Sequence, residues 1–146
     1  MALSKKDIET YLAENKSLVL ATVDTNGDPQ VRHIGGYGVD GLDIYFSTSR
    51  ISDKVEQIDA HPEVALLFQH EGQVIPNLKN ITIYGKAEKQ TGDAFNKALE
   101  IIKVRRPQAN ADEEKSVIYK INASRIKVLD FSKQPPVEEV KAEDVN

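Results

Sequence analysis

The sequence predicts a mainly β protein, an antiparallel barrel of six to seven strands with short peripheral helices. Three observations lead there. Runs rich in β-branched and aromatic residues recur along the whole chain. Several are joined by turns too short for the crossover that parallel strands need. Only three stretches carry the helical spacing of apolar residues, so few helices are available to cover an open sheet, and closure into a small barrel follows.

Each element has its own signal. "SKKDIETYLAEN" opens with Ser4 as a cap and Asp7 three residues on, and Ile8, Tyr11 and Leu12 share one helical face. "SLVLATVD" and "QVRHIGGY" are strands on either side of "TNGDP", where Asn26-Gly27 signals a hairpin. A turn at "GVDG" leads into the strand "LDIYFS". "SDKVEQIDA" puts Val55 and Ile58 on one side of a helix that stops at His61-Pro62, since proline forbids continuation. "EVALLFQ", nearly all apolar, reads as a central strand, and "NITIYGKAEK" alternates as a strand with one wetter face. "TGDAFNKALEIIKV" spaces Phe95, Ala98, Leu99 and Ile102 as a helix does. "RRPQANADEE" reads as loop, and "SVIYKIN" and "RIKVLDF" as two strands joined at "AS". Residues 132–146, rich in Pro, Glu and Lys, are expected to be a disordered acidic tail after one domain over residues 1–131.

Composition excludes several classes. Without cysteine there are no disulfides, thiolate metal sites, iron–sulfur clusters or cysteine nucleophiles. A formal charge of −4 lacks the concentrated basic face of a nucleic-acid binder. No apolar run approaches the roughly 20 residues of a membrane span. The N-terminus has no secretory signal, so the expected location is cytoplasmic. His33, His61 and His70 show no metal-ligand spacing, and no serine sits in a nucleophile elbow. "GYGVDG" matches the dinucleotide fingerprint G-x-G-x-x-G by letter. That fingerprint needs a helix after it, and here a strand follows, so the segment reads as a hairpin turn.

The stretch with chemical content is "YFSTSRISDKVEQI". Ser52 caps a helix and Asp53 complements its dipole, which is ordinary turn chemistry. The same residues also offer hydroxyls at Ser47 and Thr48, a cation at Lys54 and a helix start, a set suited to a phosphate.

With "PQVRHI", "IYFSTS", "SDKVEQIDAHPEVALLF" and "NITIYGKAE" in this order, the chain resembles the pyridoxamine 5′-phosphate oxidase-like flavin-binding split barrels from about Leu18 to Glu88, and more weakly through "INASRIKVLDF". The resemblance implies a split-barrel homodimer with FMN in clefts at the interface, acting as an oxidoreductase on a small molecule. It places Arg32 and Ile34 in the strand along the flavin, and Ser47, Thr48 and Lys54 on its phosphate. Asn80 falls where full oxidases carry Gln. The family's second cation in the helix turn falls on Asp53, so Arg50 is expected to replace it from the loop. A lysine ending the Arg-containing strand becomes Tyr37. The C-terminal Arg-x-His segment that holds pyridoxamine in true oxidases is absent from these residues, so the cofactor is better specified than the reaction. His33 and Tyr37, near the Arg strand, are the candidates for acid–base work. The alternatives within the fold are a nitroaromatic reductase, a haem- or deazaflavin-using branch and a non-catalytic flavin-binding module.

Overall fold

The computed structural model describes residues 3–146. Its elements are α1 (Lys5–Ala13), β1 (Leu18–Val23), β2 (Pro29–Ile34), β3 (Tyr37–Asp40), β4 (Asp43–Ser49), α2 (Asp53–Ala60), β5 (Glu63–Phe68), β6 (Lys79–Gln90), α3 (Asp93–Arg105), β7 (Ser116–Asp130) and β8 (Val137–Lys141). All pairings are antiparallel, in the order β2-β1-β5-β6-β7-β4-β3, with β8 added beside β7. The seven-stranded path curls into a half-barrel, the split-barrel architecture expected from the sequence.

Alternation fixes the two faces of the sheet. Leu18 and Leu20 of β1 point inward, as do Leu66 and Phe68 of β5 and Ile81 and Ile83 of β6, and all are buried. The register Leu18↔Ile34, Leu20↔Arg32 and Thr22↔Gln30 puts Arg32 on this same inner face. The hairpin between β1 and β2 forms at the expected turn, with Gly27 at φ 87°. The α1 cap is a reciprocal box, Ser4 and Asp7 each accepting from the other's backbone N–H.

Three expectations are corrected. "GYGVDG" is not mainly a turn, because Tyr37–Asp40 form strand β3 and only Gly41, at φ 62°, and Leu42 make the reversal. The glycine at position 38 serves packing. A Cβ there would lie 2.7 Å from the Ile101 carbonyl oxygen and 2.8 Å from the Ile102 Cα, so α3 rests directly on the strand. Gly38→Ala is therefore expected to destabilise by about 1–3 kcal/mol, because helix backbone cannot yield as a flexible side chain would. Chemical denaturation measures this, and an unchanged midpoint would show that α3 shifts freely.

The two C-terminal strands are one. β7 runs unbroken through Ala123 and Ser124, and Ser124 is the extra residue of a bulge in β7 itself, because the consecutive Tyr84 and Gly85 of β6 pair with Arg125 and Ala123 on either side of it. The tail is also not a disordered appendage. Residues 137–141 pair with Arg125–Leu129 of β7, beyond the stretch of β7 that β4 covers. Val140, Ala142 and Val145 pack against the core, and the Lys5 N–H donates to the Asn146 carbonyl at 2.6 Å. Open hydrogen-bonding groups on the second half of β7 give this charged segment a reason to order that its composition hides.

Candidate functional site

Helix α2 lies across the inner face of the sheet, anchored by Ile58, which is 1% exposed. Lys54 precedes Gln57 by three residues and Ile58 by four, so the three project from neighbouring positions of the helix. Beneath them, the Arg32 guanidinium donates from Nη1 to Thr22 Oγ1 at 2.6 Å and from Nη2 to Gln57 Oε1 at 2.7 Å. The Thr22 hydroxyl donates to Gln57 Oε1 at 2.6 Å, closing the triangle. Nη1 also reaches the Leu20 carbonyl at 3.4 Å.

Arg32 and Lys54 are both half-buried, and among the described residues neither forms an ion pair with a carboxylate. Burial holds the Lys54 ammonium below its ordinary pKa and the nearby Arg32 charge lowers it further, while Asp53 opposes both effects. Burial likewise lowers Arg32, again against Asp53. Two half-buried cations, the guanidinium near enough to lower the ammonium and with only an exposed aspartate to offset them, form an anion-attracting corner. Ser52 caps α2, its Oγ accepting from the Lys54 N–H at 3.3 Å. The helix start thus carries both the ordinary cap and the cation.

The remaining sequence-derived residues are not all brought here. Thr48 shares its face of β4 with the buried Phe46 and pairs with Val117, so it faces the core side where α2 lies. Ser47 alternates with it and joins Tyr45 and Ile118 on the α3 side. Ile34 is buried, 8% exposed, in the floor of the inner face. The Arg50 Nε–H donates to the Glu113 carbonyl at 2.8 Å, which ties its side chain to the loop between α3 and β7. Asn80 lies on the outer face, donating from Nδ2 to Gln69 Oε1 at 3.1 Å. His33 is also outer, with Nδ1 3.3 Å from Ser17 Oγ.

Tyr37 is not available for proton transfer. It is fully buried, and its hydroxyl donates to the carbonyls of Leu12 at 2.7 Å and Asn15 at 3.1 Å. Burial pushes its pKa up to about 12. A raised tyrosine pKa means the stabilising neutral form is fully present below about pH 10, the unfolded value. That stability is lost as the pH climbs through 10 towards 12. Burial pushes Tyr11, Tyr45 and Tyr119 the same way. Denaturation midpoints are thus expected to hold to about pH 10 and fall above it towards pH 12, the slope easing in Tyr37→Phe.

Thr22 and Gln57 escape the sequence reading. Their signals are slight: a threonine at an inward position of the otherwise apolar "LVLATV", and an amide one helical turn after Lys54.

A family model described as pyridoxamine 5′-phosphate oxidase matches residues 4–130. A pyridoxine/pyridoxamine 5′-phosphate oxidase of Rippkaea orientalis is 34% identical over 92 residues, 62% of this chain and 42% of that protein. The match therefore spans well under half of the curated relative's length. Among solved structures, a Bacteroides thetaiotaomicron protein named for 5-nitroimidazole antibiotic resistance superposes with a TM-score of 0.72 at 15% identity, covering 85% of this chain and 82% of that one. A heme binding protein from Mycobacterium smegmatis superposes with a TM-score of 0.73 at 17% identity, covering 98% and 60%. At these identities the structural neighbours establish the fold alone.

Proposed function

The chain belongs to the pyridoxamine 5′-phosphate oxidase family, and from that premise we propose that it is an FMN-binding oxidoreductase acting on a small molecule. The observation that carries the reading is the Arg32–Lys54 pair, two half-buried cations that among the described residues form no carboxylate ion pair, beside a helix N-terminus. Such a donor set fits a phosphate dianion, and charge-assisted hydrogen bonds there are the strong kind. Lys54 and Thr48 would hold the phosphate, Arg32 would add positive charge beside it, and Ile34 would offer an apolar wall. FMN, when bound, supplies hydride and electron transfer that no side chain of this protein can perform.

The same reading includes a homodimer. On the outer face of the sheet, Val31 is 69% exposed, and Val19, Ala21, Ala65 and Leu67 are only partly covered. Asn80 stands on that outer face rather than beside Lys54, so it would serve a cofactor only if a second copy docks there. Two-fold pairing is the commonest oligomeric arrangement.

Purified protein is expected to bind one FMN per chain, show flavin bands near about 375 and 450 nm, as enzyme-held flavins do, and scatter light as a dimer. A Soret band would instead favour a haem-using member of the fold, and a monomer with full flavin occupancy would remove the interface cleft. Nitroaromatic reduction by the flavin-loaded protein would support that branch. A flavin that binds but cannot be turned over would mark a binding module.

A further inference from the structure

We infer that Thr22 and Gln57 are positioning residues that hold the end of the Arg32 guanidinium, so that its side edge stays presented to the anion bound with Lys54. This rests on the FMN reading above and adds the two residues that make Arg32 usable.

Arginine has five N–H groups in a fixed plane. Nη1 spends its two on Thr22 Oγ1 and, more weakly, the Leu20 carbonyl, and Nη2 spends one on Gln57 Oε1. What remains is the Nε–H and the other Nη2–H, the pair along the side of the guanidinium, and neither has a protein partner among the described residues. That side edge is the bidentate fork that matches phosphate and carboxylate oxygens.

Proton directions within the triangle agree. Gln57 Oε1 can only accept, and it receives both the Thr22 hydroxyl and Arg32 Nη2. The Thr22 hydroxyl, having donated, accepts from Nη1. Thr22 is 2% exposed and would otherwise bury an unsatisfied hydroxyl. A neutral acceptor pair has a further consequence. It orients the guanidinium without cancelling its charge, which a glutamate at position 57 would do. The amide thus fixes Arg32 without setting a counter-charge beside Lys54.

Gln57→Glu separates positioning from mere structure, since the carboxylate has the same shape and can accept the same two hydrogen bonds. It should leave the melting temperature of the flavin-free protein unchanged or higher, because it adds an ion pair with Arg32. FMN should nevertheless bind at least ten-fold more weakly. The alkaline limb of FMN affinity, set by Lys54 between Arg32 and Asp53, should move towards the ordinary lysine range as the Arg32 charge is neutralised. Gln57→Met and Thr22→Val should weaken FMN without that alkaline shift. If wild-type protein binds FMN and Gln57→Glu binds it equally with an unmoved pH profile, the positioning role is overturned and the FMN site survives. If wild-type protein binds neither FMN nor inorganic phosphate, the anion site and this inference fall together.

Discussion

Replacing Arg105 with alanine is expected to destabilise the protein by about 3–5 kcal/mol, because three backbone carbonyls lose their donor at once. Arg105 ends α3, and its guanidinium reaches the end of α1 and the start of β3. Nε donates to the Ala13 carbonyl at 2.9 Å, Nη1 to the Tyr37 carbonyl at 2.8 Å and Nη2 to the Asn15 carbonyl. The guanidinium also lies 3.6 Å from the centre of the Tyr37 ring, a cation–π contact. The last carbonyls of a helix have no partners within it, and a cation at that end meets the negative pole of the helix dipole. In a chain of this length a loss of that size should lower the melting temperature by about 10 °C or more. Arg105→Lys should recover less than half of the loss, since a single ammonium cannot reach three divergent carbonyls as a planar fork does. Thermal and urea melts of the two variants provide the test, and a change below about 1 kcal/mol, the range of an ordinary surface substitution, would show the contacts to be incidental.

Arg105 also marks where the sequence falls silent. "RRPQ" has the composition of a loop, and nothing local tells an arginine that reaches ninety residues back along the chain from one left in water. Signals that are local were legible: the Ser4 box, the Asn26-Gly27 hairpin and the proline stop of α2 all depend on residues within a turn of one another. Non-local constraints were not. β7 reads as two strands because Ala123-Ser124 is small and polar, whereas Ser124 is only a bulge within one continuous strand that stays paired with β6 on either side. β8 reads as disorder because its glutamates say nothing of the open edge awaiting it. At the candidate site, Lys54 and Arg32 were legible through resemblance and order along the chain. Their alignment on Thr22 and Gln57 depends on the face each strand residue takes, which only the register settles. Ser47 and Thr48 give the converse case, adjacent hydroxyls that suggest a pair and that alternation sends to opposite faces.

Reversing the charge at Lys54 should abolish useful FMN binding while sparing the fold. If Lys54 holds the phosphate as proposed, Lys54→Ala should remove one charge-assisted hydrogen bond, about 1.5–3 kcal/mol, which corresponds to roughly a 10- to 150-fold rise in Kd. Lys54→Glu also sets a carboxylate against the phosphate and gives Arg32 an internal partner, so the rise should exceed about 150-fold. Folding should respond the other way. The wild-type lysine is disfavoured in its charged form by burial and by Arg32, so removing it relieves repulsion in the flavin-free protein. The denaturation midpoint should accordingly stay within about 0.5 kcal/mol of wild type or rise. Riboflavin, which has the ring but no phosphate, is the control: its weaker affinity should barely respond to Lys54→Ala. Titrations followed by flavin fluorescence measure all of these affinities. Equal losses for FMN and riboflavin would move Lys54 from the phosphate to the ring. No loss for either would leave Lys54 a helix residue in water and return "STSRISDK" to ordinary capping chemistry.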